Sequence, residues 1–164
     1  MTMMLISTFI SCNEYQKLLN SDDTSGKYKQ AEVYYNRGEY RKANRLLEQI
    51  ISKYRGKPQA QRIIFFFADS YFQTKSYYLA AYQYESFIKS YPKSDRIQEA
   101  TFKAAKSYYF SSPKYSLDQE DTYTAIEKLQ VFINLYPNSE YISEANQMIS
   151  ELQEKLEQKD FEIA

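Results

Sequence analysis

The sequence contains no histidine and no tryptophan, and cysteine occurs once, at Cys12. Within these residues a His-ligated metal, a Ser-His-Asp triad, a Cys-His dyad, an internal disulfide and a thiolate metal site are all excluded. Three Gly and four Pro are too few for a turn-rich β fold or a Gly-rich phosphate loop. Net charge is lacking too: 21 Lys+Arg balance 21 Asp+Glu. Nucleic-acid binding needs a net basic face that displaces counterions, and attraction to anionic lipid needs a polybasic segment; neither is predicted. What the chain has in quantity is 18 Tyr and 10 Phe, in a background of low mean hydropathy, −0.67. At 164 residues, these aromatics suffice to build the core of one domain or one short repeat array.

Residues 1–11 carry no charge and read Met-Thr-Met-Met-Leu-Ile-Ser-Thr-Phe-Ile-Ser. The run is too short to span a bilayer and fits the apolar region of a secretory signal. Phe9-Ile10-Ser11-Cys12 has the order of a bacterial lipobox: apolar, small, then the cysteine that is lipidated. The sequence therefore predicts a signal segment over 1–11, an acylated Cys12 such as one carrying palmitate, and a flexible tether over 12–23. Several acyl chains on one cysteine hold a protein stably at a membrane without spanning it.

A period follows. Ala31, Ala68 and Ala105 are 37 residues apart, and so are Tyr34, Tyr71 and Tyr108. Ala43 and Ala80, and Tyr54 and Tyr91, keep the same step. The third repeat is longer: Ala80 to Ala125 and Tyr91 to Tyr136 are 45 apart. The extra eight residues fall in the Ser111–Glu120 stretch. Small residues recur where helices approach closely, and large ones where a neighbouring repeat is filled. The pattern resembles the tetratricopeptide repeat. It predicts an all-α, right-handed solenoid of helix hairpins over 24–164, with repeats at 24–57, 58–94 and 95–139. Helices are predicted at 24–37, 40–54, 58–74, 77–91, 95–110 and 121–136. Pro92 and Pro137 stop helices, and Ser94 and Ser139 are N-cap candidates. A last helix over 140–163 has one apolar face.

In such repeats the first helix of each pair lines the inner surface. One predicted inner row is Tyr28, Phe65 and Phe102; a second is Tyr35, Phe72 and Tyr109. Between and beside them lie Glu32, Asp69 and Lys106, then Asn36, Gln73 and Phe110. Together these would form an aromatic groove for an extended or helical peptide, with amides available to its backbone. A Glu32–Asp69 pair for acid–base catalysis has far less support than a solvated or ion-paired face. No catalytic residue, metal or cofactor is expected.

Four features together resemble the BamD/YfiO (ComL) outer-membrane β-barrel assembly lipoprotein family. They are the lipobox at Cys12, the Tyr91-Pro92-Lys93-Ser94-Asp95 stretch, the enlarged third repeat closing on Tyr136-Pro137-Asn138-Ser139, and the long helix after Glu144-Ala145. The resemblance implies a non-enzymatic scaffold, lipid-anchored at the periplasmic face of the outer membrane. Its partners would be a BamA-type barrel protein and unfolded outer-membrane protein segments received by the N-terminal repeats. The family continues into about two further repeats, so the resemblance implies a C-terminally incomplete chain. Two other readings are compatible with the repeats: an exported lipoprotein scaffolding cell-wall complexes, and a glycan-binding surface lipoprotein. Glycan platforms commonly use Trp, which is lacking here.

Overall fold

The computed structural model describes residues 14–163. The signal segment 1–11 and Cys12 lie outside the described residues. Those described form an all-helical chain: α1 (Thr24–Asn36), α2 (Tyr40–Ile50) continued by a 3-10 turn (Ile51–Tyr54), α3 (Ala60–Gln73), α4 (Tyr77–Ser90), α5 (Ile97–Ser111), α6 (Glu120–Leu135) and α7 (Ile142–Ile163). These bounds fall within about two residues of those the repeat period predicts. No described helix is long and apolar enough to cross a membrane. The chain divides within α3 into two compact units, one running to Phe67 and one from Ala68.

In the first unit, α1 starts at Asp23, whose carboxylate accepts from the Gly26 N–H at 2.8 Å, and it packs on α2. Ala31, Ala43, Leu46 and Leu47 are fully enclosed. Residues 14–19 are also helical. Leu19 is buried, and the Tyr15 ring sits edge-on to Tyr34 at 5.4 Å. The buried Lys27 ammonium donates to the Leu19 carbonyl at 3.1 Å, placing a cation where the helical segment exposes its last carbonyls.

In the second unit, α4 packs on α5, α5 on α6, and α6 on α7, which also touches α5. The repeat register is visible as burial. Ala43, Ala80 and Ala125 are enclosed, and so are Leu47, Tyr84 and Leu129, and Ile50, Phe87 and Phe132. Helices α4 and α6 end alike. Tyr91 N–H donates to Phe87 O at 2.8 Å, and Tyr136 N–H to Phe132 O at 3.0 Å. Ser94 and Ser139 do not cap the following helix directly; each hydroxyl accepts the N–H two residues on, from Arg96 and Tyr141.

The turns that close the first two hairpins are superimposable in their hydrogen bonds. Gly38 N–H donates to Tyr35 O and Glu39 N–H to Tyr34 O; Lys75 N–H donates to Phe72 O and Ser76 N–H to Tyr71 O. Both turns need a left-handed residue, with φ +75 at Gly38 and +62 at Lys75. Glycine takes that conformation at no steric cost, whereas a lysine is strained there. Lys75→Gly is therefore expected to stabilise the chain by about 1 kcal/mol. The check is the urea midpoint by circular dichroism, with Lys75→Ala giving no gain.

Candidate functional site

The expected inner rows separate into enclosed and accessible members. Phe65 and Phe102 are core residues, 0% and 3% exposed, and offer no surface to a ligand. Phe102 stacks on Tyr141 at 4.5 Å with rings 5° apart, and meets Phe132 at 5.2 Å. Its inward partners come from the next helices, which the repeat motif alone does not display. Tyr28 is half-buried and donates to Glu32 at 2.8 Å; Arg62 pairs with the same carboxylate at 2.9 Å. Glu32 is thus an ion-paired bridge between α1 and α3.

Asp69 is likewise enclosed, at 1% exposure. It accepts from the Tyr84 hydroxyl at 2.7 Å, from Gln73 at 3.4 Å, and from the Lys103 ammonium, which also meets Glu99 at 3.1 Å. One carboxylate therefore ties α3, α4 and α5 together. Glu32 lies in the first unit and Asp69 is spent on packing contacts of the second. Lys106 pairs with Glu144 at 2.6 Å and lies over the Phe102 ring at 5.6 Å, joining α5 to α7. Asn36 and Gln73 are exposed.

The accessible aromatics form one group in each unit. In the first, the half-buried Tyr35 stacks on the buried Phe66 ring at 4.1 Å, with the half-buried Tyr40 edge-on at 5.4 Å. In the second, Phe72, Tyr77, Phe110 and Tyr109 form a chain of contacts. Tyr77 stacks on Phe110 at 4.8 Å, and Phe72 meets Tyr77 edge-on at 5.6 Å and Phe110 at 6.0 Å. Tyr109 meets Phe110 at 5.2 Å. Phe110 is 43% exposed, a large apolar cost that packing within the chain does not remove. Tyr77 was not among the expected site residues. Its signal was present: Tyr35–Tyr40 and Phe72–Tyr77 are the same edge-on contact, 37 residues apart.

The enlargement of the third repeat is an ordered loop. Gln119 is buried, and its amide donates to the carbonyls of Lys114 at 2.8 Å and Leu117 at 2.9 Å. The Thr122 hydroxyl donates back to the Gln119 carbonyl oxygen at 2.7 Å. From α7, Lys155 donates to the Ser112 hydroxyl at 2.8 Å and Lys159 to Leu117 O at 2.6 Å. Loop and helix enclose an open cleft of about 430 Å³ lined by Ser112, Pro113, Lys114, Tyr115, Glu151, Glu154, Lys155 and Gln158.

Residues 20–164 match the family model YfiO, described as an outer membrane lipoprotein. The chain belongs to this family. A curated relative, the outer membrane protein assembly factor BamD of Helicobacter pylori (strain ATCC 700392 / 26695), is 27% identical over 99 residues. That alignment covers 60% of this chain and 45% of the relative, so the chain matches less than half of the relative's length. The YfiO match begins at Asn20, inside the docked N-terminal segment, and takes in every helix named above.

Two tyrosines of the expected site have strongly raised pKa values. Burial, and then the hydrogen bond to Glu32, pushes Tyr28 up to about 12. The hydrogen bond to Glu151, and then burial, pushes Tyr109 up to about 12. An unfolded tyrosine ionises near its ordinary value of 10.0. Raised folded values therefore add stability that is complete below pH 10 and lost as pH rises towards about 12. Urea midpoints measured across that window should fall, and fall less steeply in Tyr28→Phe and Tyr109→Phe. Asp69→Ala should cost about 2–3 kcal/mol by taking its acceptor from the buried Tyr84 hydroxyl and leaving Lys103 with Glu99. Tyr84→Phe, which leaves the ion pair, should cost about 1 kcal/mol; chemical denaturation separates the two.

Proposed function

We propose that this chain is a lipid-anchored, non-enzymatic scaffold of the outer-membrane β-barrel assembly machinery. It acts at the periplasmic face, holding unfolded outer-membrane protein segments and a BamA-type barrel protein. The observation that carries this reading is the family match over residues 20–164, strengthened by a curated relative named as an assembly factor. Cys12 is the anchor point.

The substrate-holding surface includes the Phe72–Tyr77–Phe110–Tyr109 cluster. Stacked and edge-on rings present a rigid apolar platform whose conformational cost is already met in the free protein. Extended segments with aromatic side chains suit it, because ring contacts tolerate sequence variation and apolar burial supplies the affinity. The half-buried Tyr35 and Tyr40, with Phe66 supporting Tyr35 from the core, offer a second, smaller platform in the first unit. Exposed Asn36 and Gln73 are available to a ligand backbone. Phe65, Phe102 and Asp69 support these platforms from the core and take no part in contact.

In vivo crosslinking of the lipidated chain, followed by mass spectrometry of what co-purifies, tests the reading. A barrel protein of BamA type and nascent barrels are the expected partners. Recovery of cell-wall enzymes without barrel proteins would overturn it. Phe110→Ala should lower recovery of substrate segments five- to tenfold, about 1–1.4 kcal/mol of binding, while leaving the helical circular dichroism spectrum unchanged. Cys12→Ser should release the chain from membranes.

A further inference from the structure

The even balance of charge over the whole chain, which predicts no attraction to anionic lipid, conceals a division. Of the 21 Lys and Arg, 11 fall in the first unit, whereas 15 of the 21 Asp and Glu fall in the second. The first unit therefore carries 11 basic against 6 acidic residues, a net charge of +5, and the second carries −5. The excess is concentrated over 37–57, which holds seven basic residues and two acidic ones, Glu39 and Glu48. Glu39 is taken by Lys42. Arg37, Arg41, Arg45, Lys53 and Arg55 are exposed and have no ion-pair partner among the described residues. Arg41 and Arg45 stand one turn apart on the exposed side of α2, so their guanidinium groups are neighbours that only solvent answers.

The segment that follows Cys12 docks beside these cations. Residues 14–19 are helical, Leu19 is buried, and the Tyr15 hydroxyl donates to the Lys42 carbonyl at 3.4 Å. The Lys42 ammonium lies 5.8 Å from the centre of the Tyr15 ring. Burial raises the Tyr15 pKa, and the positive charges of Arg45 and Lys42 oppose that rise, so both cations face the docked segment. Cys12 is three residues before Tyr15, a reach of at most about 11 Å. That distance is close to the Debye length of about 8–10 Å. We propose that the positive face of α2, centred on Arg41 and Arg45, lies on an anionic bilayer surface and sets which side of the first unit meets the membrane. The inference rests on the reading of Cys12 as the anchor point, which brings this face to a bilayer. Acyl chains hold a protein at a membrane but leave it free to turn. A basic patch is the second signal that stable attachment uses, and each Lys or Arg near an anionic surface strengthens binding about fivefold. Guanidinium groups suit the task, because their planar fork pairs with two oxygens of a headgroup phosphate. The −5 charge of the second unit makes it a poor match for the same surface.

The test uses the full chain carrying Cys12→Ser, so that acyl chains contribute nothing, with vesicles of phosphatidylglycerol or of phosphatidylcholine. In low salt the chain is expected to bind phosphatidylglycerol about tenfold more tightly than phosphatidylcholine, and to lose that preference as salt is raised. Arg41→Gln combined with Arg45→Gln should weaken phosphatidylglycerol binding about tenfold. Lys89→Gln combined with Lys93→Gln, both exposed in the second unit, should leave it unchanged. A second measurement keeps every arginine. A nitrobenzoxadiazole label on Gln49→Cys of α2 should move to shorter wavelength on phosphatidylglycerol, and one on Gln130→Cys of α6 should not. Equal binding to the two lipids, no binding to either, undiminished binding by the arginine variant, or equal shifts of the two labels overturns the proposal. Tighter Arg41- and Arg45-dependent binding to polyglutamate than to the vesicles also overturns it, in favour of an acidic protein partner. The mass of the Cys12 chain recovered from membranes reads acylation separately: an unacylated mass overturns the anchor reading, while the vesicle titration decides the basic face by itself.

Discussion

Each hairpin closes because its second helix carries a single methyl group at one fixed place. Ala43, Ala80 and Ala125 are all 0% exposed, and the facing first helices carry Ala31, Ala68 and Ala105, none above 2%. Packed helices run with axes about 8–10 Å apart, and the lower end of that range requires small side chains at the crossing. A turn of three residues, as after Asn36 and Gln73, leaves little freedom to widen the gap. Everything larger in the repeat is therefore arranged around these alanines. Leu47, Tyr84 and Leu129 fill the layer one turn along, and Ile50, Phe87 and Phe132 the next. A bigger residue at the crossing would push both layers apart, at a cost of about 1–3 kcal/mol.

The same constraint explains why tyrosine dominates the composition. Close helices leave narrow seams between neighbours, and a flat ring with a polar tip can fill a seam and end on a charged partner. Tyrosine–carboxylate hydrogen bonds among the described residues include Tyr28–Glu32, Tyr78–Asp121, Tyr84–Asp69, Tyr108–Glu85 and Tyr109–Glu151. Four of them join different helices. At Glu85 the Lys128 ammonium adds a third party at 2.6 Å, binding α4, α5 and α6. Low mean hydropathy is thus compatible with an enclosed core: the Tyr84 ring is fully buried while Asp69 satisfies its hydroxyl.

The architecture was legible because alanine and aromatic positions repeat with one spacing, and spacing survives when individual residues vary. Helix ends were legible from Pro92 and Pro137, which cannot continue a helix. The left-handed turn residue at position 75 was hidden by its side chain; only its register with Gly38 reveals it. The burial of Phe102 and Asp69 was hidden for a different reason. Their partners, Tyr141 and Lys103, lie 39 and 34 residues further on and belong to the next structural layer. A motif read within one repeat counts only the inward face of its own hairpin. In a stacked array the first helix of a repeat is covered on two sides, so residues that look surplus within a hairpin are consumed by the neighbour. Tyr77 escaped for the converse reason: it opens a second helix, whereas the inner rows were sought on first helices.

Where the repeats agree in register, a shared residue is explained by the shared demand of packing. Chemistry peculiar to one repeat has to be sought where the register breaks. The break here is the lengthened third repeat, which lacks the Gly38-type turn and leaves α5 through Ser112 in an extended conformation, φ −57 and ψ 125. That change carries residues 112–119 onto α7, where Lys155 and Lys159 hold them. Gln119 then pins the loop from inside, so the added residues are fixed in place rather than appended. Phe110, the most exposed ring of the aromatic cluster, sits immediately before the same break. A single insertion thus sets both an accessible aromatic shelf and a polar cleft at the end of one helix. Tyr109 connects them physically, with its ring against Phe110 and its hydroxyl on Glu151 in the cleft wall. Tyr109 therefore belongs to both surfaces at once, and the lengthened repeat places them side by side.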